Sequence, residues 1–272
     1  MTMLPFRAFV SDMDGTLLNG NHVIGEFTRE TLEKLAHKGV DIILATGRGY
    51  ADVLAQLNMM NIENAAMVTS NGAEVHDLKG NLLYSNYLPE DLAFEIMQEK
   101  FDEQTIFLNS YQDNDWFIST DVPSMAKYHK DSGFSYQVVD FSQHHGRHTQ
   151  KIFFIGKTLE DLLPLEQRLK EKYGDRTSII YSTPQCLEVM NKNVSKASAL
   201  AELVTHKAYD LSDCIAFGDG LNDIEMLSEV GKGLVMGNAD PRLKSILPDL
   251  EQIGLNTHES VASYVRAVFG IY

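Results

Sequence analysis

At 272 residues, with 44% apolar and 22% charged side chains, the chain is long enough for two domains and has the composition of a folded protein with a sizeable core. A net charge of −15 repels nucleic acid and anionic membranes, so neither is an expected partner. The same field repels anionic substrates, and any phosphate site therefore needs its own local positive charge.

The elements predicted for the first 75 residues alternate strand and helix. Ala8–Ser11 is a short apolar run, expected as a buried strand. Leu32, Leu35 and Ala36 have helical spacing, and Gly39 follows as a stop signal. Val40–Ala45 predicts a second strand, Thr46-Gly47-Arg48-Gly49 a turn, and the residues up to about Met60 a helix. Ala66–Thr69 predicts a third strand, closed by Asn71-Gly72. This βαβαβ order predicts a parallel sheet with right-handed crossovers.

The middle of the chain has another texture. Residues 89–101 predict a helix, and Ile106–Asn109 and Trp116–Ser119 two strands joined by the polar turn Gln112-Asp113-Asn114. Tyr136–Val139, Lys151–Ile155, Ser178–Tyr181 and Cys186–Met190 are strand-like, and Leu159–Tyr173 is helical. Strands here follow one another directly, as in an α+β unit. Alternation then returns: helix at Lys196–His206, strand at Cys214–Gly218, helix at Ile224–Val230, strand at Gly233–Met236, and helices at Pro241–Ile246 and Glu259–Phe269. The expected architecture is an α/β, doubly wound parallel-sheet (Rossmann-like) core built from residues 1–84 and 192–272, with an α+β cap domain inserted at 85–191.

Cys186 and Cys214 lie in or beside apolar runs with no CxxC spacing, so buried reduced thiols are expected and a zinc site is not. Asp12 and Asp14 come too early for a secretory signal, and no apolar run approaches the ~20 residues of a membrane span. The expectation is a cytoplasmic protein without a membrane partner, a monomer by default.

Asp12 and Asp14 stand where the first strand ends, and Asp219 and Asp223 just beyond another. In open α/β sheets ligands bind outside the carboxyl ends of strands. If the two strands are neighbours, the carboxylates converge. Two like charges ~4 Å apart cost roughly 4 kcal/mol at an effective dielectric of 20. Such a cluster calls for a cation, and all-oxygen ligands suit Mg²⁺. An EF-hand fails, because glycine comes fourth in Asp12-Met13-Asp14-Gly15 rather than sixth, and Val23 stands where the terminal glutamate belongs. A pair of strand-capping Asp-Gly turns is the bland alternative.

Thr46 also follows a strand, and Gly47 permits close backbone approach. An anion site at a helix N-terminus and a simple N-cap explain Thr46 about equally. Lys196 sits in the first turn of a helix with Ser195 as the expected N-cap. A cation there opposes the helix dipole, so it is either a solvated lysine or one that meets a phosphate. His144, His145 and His148 are expected in a polar loop rather than a metal site. Trp116 is expected as a packed hairpin residue, with ring stacking on a ligand as the alternative.

Together these residues resemble the haloacid dehalogenase-like hydrolases. Asp12-x-Asp14-Gly15-Thr16 is similar to the family's first motif, Thr46 to its second, Lys196 to its third and Gly218-Asp219-x-x-Asn222-Asp223 to its fourth. The long insert resembles the cap of the Cof-type branch, as do Val68-Thr69-Ser70-Asn71-Gly72-Ala73 and Cys186-Leu187-Glu188-Val189-Met190. Within the branch, Asp115-Trp116-Phe117 and Leu162-Leu163-Pro164-Leu165 resemble bacterial pyridoxal phosphate phosphatases. Asn193 and Ala197 depart from the pattern, standing where the family usually has glycine.

The resemblance implies a Mg²⁺-dependent phosphatase of small phosphorylated metabolites. It makes Asp12 the nucleophile that becomes an aspartyl-phosphate and Asp14 the general acid and base. It assigns the metal to Asp12, the Asp14 carbonyl and Asp219, with Asp223 acting through water or as an orienter. Thr46, Gly47, Lys196 and Asn222 would hold the phosphoryl group, and Tyr111 and Trp116 in the cap are possible ring contacts. Pyridoxal phosphate is the substrate it favours, with sugar phosphates and phosphorylated pyrimidines as alternatives. A phosphomutase, or a phosphoacceptor signalling domain carrying a stable Asp12 phosphate, are the competing functions.

Overall fold

Short apolar runs bury both faces and pair in parallel at the centre of the molecule, as expected of strands covered by helices on either side. The computed structural model describes residues 4–125 and 132–272. In chain order, β1 (Ala8–Ser11), α1 (Glu26–His37), β2 (Asp41–Ala45), α2 (Tyr50–Leu57) and β3 (Ala65–Thr69) alternate, and β4 (Glu74–Asp77) and β5 (Leu82–Ser85) follow as a hairpin. The middle comprises α3 (Glu90–Met97), β6 (Ile106–Gln112), β7 (Asp115–Ile118), β8 (Tyr136–Val138), β9 (Thr149–Gly156), α4 (Leu159–Tyr173), β10 (Thr177–Thr183) and β11 (Cys186–Asn191). The chain closes with α5 (Lys196–Val204), β12 (Cys214–Gly218), α6 (Ile224–Glu229), β13 (Lys232–Val235), α7 (Pro241–Ile246), β14 (Glu251–Gln252) and α8 (Ser260–Phe269).

The first sheet runs β14-β13-β12-β1-β2-β3-β4-β5. It is parallel from β14 to β3, and β4 and β5 extend it antiparallel. Strand order reverses at β1, which lies between β2 and β12 with Ser11 opposite both Leu44 and Phe217. The carboxyl ends of β1, β2 and β12 therefore open side by side at a topological switch point, where such sheets bind ligands. The edge strands β5 and β14 lack a clear sequence signal because they are exposed, with Leu82 and Leu83 facing solvent, while β4 is buried between β3 and β5 but is polar at three of its four positions, Glu74, His76 and Asp77.

The second sheet runs β10-β11-β9-β6-β7-β8, antiparallel except for β7 with β8. The strand period of two assigns its faces. Leu108, Ile152, Phe154, Leu187 and Val189 pack beneath α3 and α4, against Leu92, Ile96, Leu162, Leu165 and Leu169. The alternate positions, among them Tyr111, Lys151, Phe153 and Glu188, lie on the opposite face. That face meets the loops of the first sheet, where Lys151 Nζ donates to the Gly47 carbonyl at 2.8 Å; Gln150, the extra residue at the register shift between β6 and β9, accepts the Ser70 hydroxyl at 2.9 Å.

The turn Ser70–Gly72 after β3 supports α5. A Cβ on Gly72 would lie 2.1 Å from the Ser195 carbonyl oxygen, and Gly72 has φ +102°. Ser195 caps α5 through Ser198, each side chain accepting from the other's backbone N–H. Both cysteines are free, and no helix among the described residues is long and apolar enough to cross a membrane. Gly72→Ala combines a left-handed backbone with a collision and is expected to cost about 2–3 kcal/mol of stability in urea unfolding. An unchanged unfolding free energy would show that α5 does not rest on this turn.

Candidate active site

Asp12 follows β1 directly, and its N–H donates to the Phe217 carbonyl of β12 at 3.0 Å. The chain then makes a wide turn over Met13–Leu17, closed by the Leu18 N–H on the Met13 carbonyl at 2.9 Å. This turn needs Gly15: at φ +78° its Cβ would lie 2.2 Å from Asp219 Oδ2. Oxygen atoms of Asp12, Asp219 and Asp223 come within 4.8 Å of one another, the acidic cluster among the described residues that could hold a metal. The expected convergence of Asp12, Asp219 and Asp223 follows from the β1–β12 pairing.

Lys196 points into this cluster. It is wholly buried, and Nζ donates to Asp12 Oδ1 at 2.5 Å and Asp223 Oδ1 at 2.7 Å. A solvated lysine is excluded. Burial by itself would depress its ammonium, but Asp12 and Asp223 outweigh that and hold it charged. Asp223 is tied down at both oxygens, since Oδ2 also accepts the N–H groups of Asp219 and Gly220 at 2.9 and 2.8 Å. Asp219 Oδ1 accepts the Thr16 hydroxyl at 2.6 Å. Asn193 takes φ +64°, so it adopts the left-handed backbone that its motif ordinarily reserves for glycine. Ala197 is packed into the core.

Two buried carboxylates and the half-buried Asp219 surround one ammonium, which leaves the cluster short of positive charge. Burial raises the Asp12 carboxyl well above the usual range; Lys196 opposes this, and Asp223 and Asp219 add to it. Burial and Asp223 push Asp219 up to about 7. A divalent cation with oxygen preference restores the balance, so the donor set fits Mg²⁺. Asp12 and Asp219 have the oxygens to hold it, while Asp223, committed to Lys196 and the loop, fixes the frame around it.

Asp14 lies outside this cluster. Its side chain is 48% exposed and accepts both Nε and Nη2 of Arg48 at 2.6 Å each, a bidentate pair. Arg48 is a site residue that sequence reasoning missed. The signal was a cation directly after Thr46-Gly47 at a strand end. Thr46 is buried, and its Oγ1 accepts the Arg48 N–H at 3.2 Å. α2 starts at Tyr50 with Gly49 as its N-cap, so capping of that helix does not explain Thr46. Asn222 donates to Asn71 Oδ1 at 2.9 Å, and the Asn71 N–H donates to the Thr46 carbonyl at 2.9 Å. Asn71 was visible only as part of a turn.

The cap residues divide. Tyr111 sits over the motif-two turn, where a Cβ on Gly49 would come 3.7 Å from its ring, with Lys151 Nζ 4.9 Å from its centroid. Trp116 is 1% exposed, its Nε1–H donates to Asn109 Oδ1 at 2.9 Å, and its ring stacks on Phe134. As a ring contact for substrate it is therefore corrected: its ring faces are enclosed, and it serves as the packed hairpin residue. The histidines are spread over separate contacts. His144 meets Gln112, His145 stacks on Phe94, and His148 pairs with Asp113.

A carboxylate beside a buried lysine, an acidic cluster for a cation and a covering sheet together suit a site that handles phosphoryl groups. Residues 9–265 match the family model of the haloacid dehalogenase-like hydrolases. A Haemophilus influenzae protein provisionally named a phosphatase is 58% identical over 268 residues, covering 98% of each chain. A Klebsiella pneumoniae HMP-PP phosphatase is 37% identical, covering 93% of this chain and 92% of its own. A solved haloacid dehalogenase-like hydrolase from Bacteroides thetaiotaomicron superposes with a TM-score of 0.82 at 24% identity, covering 97% of this chain and 100% of that one, and shares the fold. The chain belongs to the haloacid dehalogenase-like hydrolases, in their Cof-type branch. It is a phosphatase of small phosphorylated metabolites.

The raised Asp219 carboxyl has a measurable consequence. With its folded pKa above the unfolded value, the folded state binds more protons between about pH 4 and 7, so its contribution to metal-free stability falls as pH rises through that window. Asp219→Asn is expected to raise the metal-free melting temperature at pH 8 and to abolish stabilisation by added Mg²⁺. Thermal melts with and without Mg²⁺ at pH 5 and pH 8 check both; retained Mg²⁺ stabilisation in the variant would remove Asp219 from the metal site.

Proposed function

We propose that the chain hydrolyses phosphate monoesters through a covalent phosphate on Asp12, with pyridoxal phosphate as its leading substrate. The observation that supports the chemistry most directly is the Asp12 carboxylate, buried at the end of β1 and held by Lys196 beside Asp219 and Asp223. The Asp12 oxygen attacks phosphorus, its bond to phosphorus forms, and the bond to the leaving oxygen breaks. Asp14 gives its proton to that oxygen. It then takes a proton from the water that attacks the aspartyl-phosphate, releasing inorganic phosphate and restoring Asp12.

Asp12, Asp219 and the Asp14 carbonyl would hold a Mg²⁺, which would supply positive charge against the repulsion between carboxylate and phosphoryl group. Lys196, Thr46, the Gly47 backbone and Asn222 bind phosphoryl oxygens, fixed donors of the kind that contribute most to such reactions. Arg48 grips both Asp14 oxygens in this structure, and Asp14 serves as proton donor once that pair opens.

Residues 85–191 act as a cap that recognises the leaving group, with Tyr111 as its ring contact at the motif-two turn. The name of the Klebsiella pneumoniae relative favours a second reading, with HMP-PP as substrate. Phosphate release from pyridoxal phosphate, HMP-PP and sugar phosphates, with and without Mg²⁺, separates the two. Catalytic release also separates both from a phosphomutase and from a phosphoacceptor signalling domain, which releases at most one phosphate per chain.

Asp12→Asn is expected to lower kcat by about 10³-fold or more with the fold intact. Asp14→Asn is expected to lose turnover while binding Mg²⁺ normally, because its side chain lies outside the acidic cluster. Substantial turnover in the first variant, or lost metal affinity in the second by calorimetry, contradicts the assigned role.

A further inference from the structure

Two charged residues of the cap sheet have no part in the reaction as described, yet both are buried and both reach the core. Lys151 in β9 and Glu188 in β11 lie on the face opposite α3 and α4, and their side chains pair at 2.5 Å, nearly closed to solvent. A buried ion pair is weak support for stability, because desolvation offsets most of the attraction. Each member makes a second bond across to the core. Lys151 Nζ donates to the Gly47 carbonyl at 2.8 Å. Glu188 accepts from Asn71 Nδ2, and Asn71 Oδ1 in turn accepts from Asn222 at 2.9 Å.

The contacts form a chain that begins and ends in the phosphate-binding residues. Gly47 belongs to the motif-two turn and Asn222 to motif four, which come from opposite ends of the sequence. Asn71 stands between them in a left-handed backbone at φ +59°, with its own N–H on the Thr46 carbonyl at 2.9 Å. Its side-chain NH₂ donates to Glu188 and, weakly, to the Met190 sulfur at 3.6 Å, while its Oδ1 accepts from Asn222. The orientation of that amide, and with it the direction in which Asn222 presents its own NH₂ group, depends on an anionic acceptor at Glu188.

We propose that Glu188 is a positioning residue for the phosphoryl site: one cap carboxylate sets Asn222 through Asn71 and the Gly47 carbonyl through Lys151. Docking of the cap then completes the phosphate cradle instead of merely covering it. The inference rests on the phosphatase reading for its purpose, but its geometry is tested by phosphate affinity alone.

Replacing the pair together, Lys151→Met with Glu188→Leu, removes both charges without stranding either. The Gly47 carbonyl and the Asn71 amide lose a partner, so a modest fall in melting temperature is expected with the fold retained. Inorganic phosphate, titrated calorimetrically at saturating Mg²⁺, should bind about tenfold more weakly, and kcat on p-nitrophenyl phosphate should fall about tenfold or more. Mg²⁺ affinity should stay unchanged, since the acidic cluster lies outside this chain. A folded double variant with wild-type phosphate affinity and kcat overturns the proposal.

Glu188→Gln, which keeps size and shape, provides the second test. It should weaken phosphate binding in the wild-type background and have a clearly smaller effect in Asn222→Ala, where only the Lys151–Gly47 branch remains. Equal losses in both backgrounds overturn the relay. A wild-type protein that binds phosphate but hydrolyses none of the esters overturns the phosphatase reading alone; one that binds no phosphate overturns the relay as well.

Discussion

The structure depends on one ammonium group placed where water cannot reach it. Lys196 occupies the first turn of α5, at the helix end where the backbone dipole opposes a cation, and it is completely buried there. Two carboxylates from two other segments of the chain make that tolerable. Asp12 comes from the end of β1 and Asp223 from the loop after β12, and each gives the lysine a charged partner. Removing either partner would strand a buried charge, so these three segments must fold as one unit.

That constraint explains how much of the surroundings is backbone work. Asp223 uses its second oxygen on the N–H groups of its own loop, which holds the loop in the shape that aims Asp219 at Asp12. Gly15 lets the first motif pass close to Asp219, and Gly72 lets the turn after β3 touch the start of α5. Even so, the cluster remains short of positive charge. A site built with this deficit binds cations, and anions only in their company, which is how a protein of net charge −15 can accept a phosphate.

Much of this was legible in the chain. Strand and helix alternation at both ends indicated the parallel core, and the insert's consecutive strands indicated a separate sheet. The carboxylates stood at the ends of apolar runs, and Lys196 had the wrong sign for its helix position. Trp116 was harder, because a lone tryptophan in a hairpin looks the same whether its ring meets a ligand or its neighbours. Arg48, Asn71, Lys151 and Glu188 carried weaker signals. Arg48 and Asn71 sit in turns, where polar residues are ordinary. Lys151 and Glu188 are charges inside apolar strands, which marks them as unusual without naming a partner.

Local patterning by itself determined which segments form strands, which residues lie at their carboxyl ends and which of those are acidic, because periodicity and turn chemistry act over a few residues. Only the tertiary structure decided who meets whom. The approach of Asp12 to Asp223 is set by β1 lying beside β12, and the meeting of Glu188 with Asn71 by one sheet resting on the loops of another. Those distances span 211 and 117 positions of chain. No short-range pattern encodes such a separation; it is chosen by the burial of whole faces, and the buried charges are then paired wherever that burial brings them.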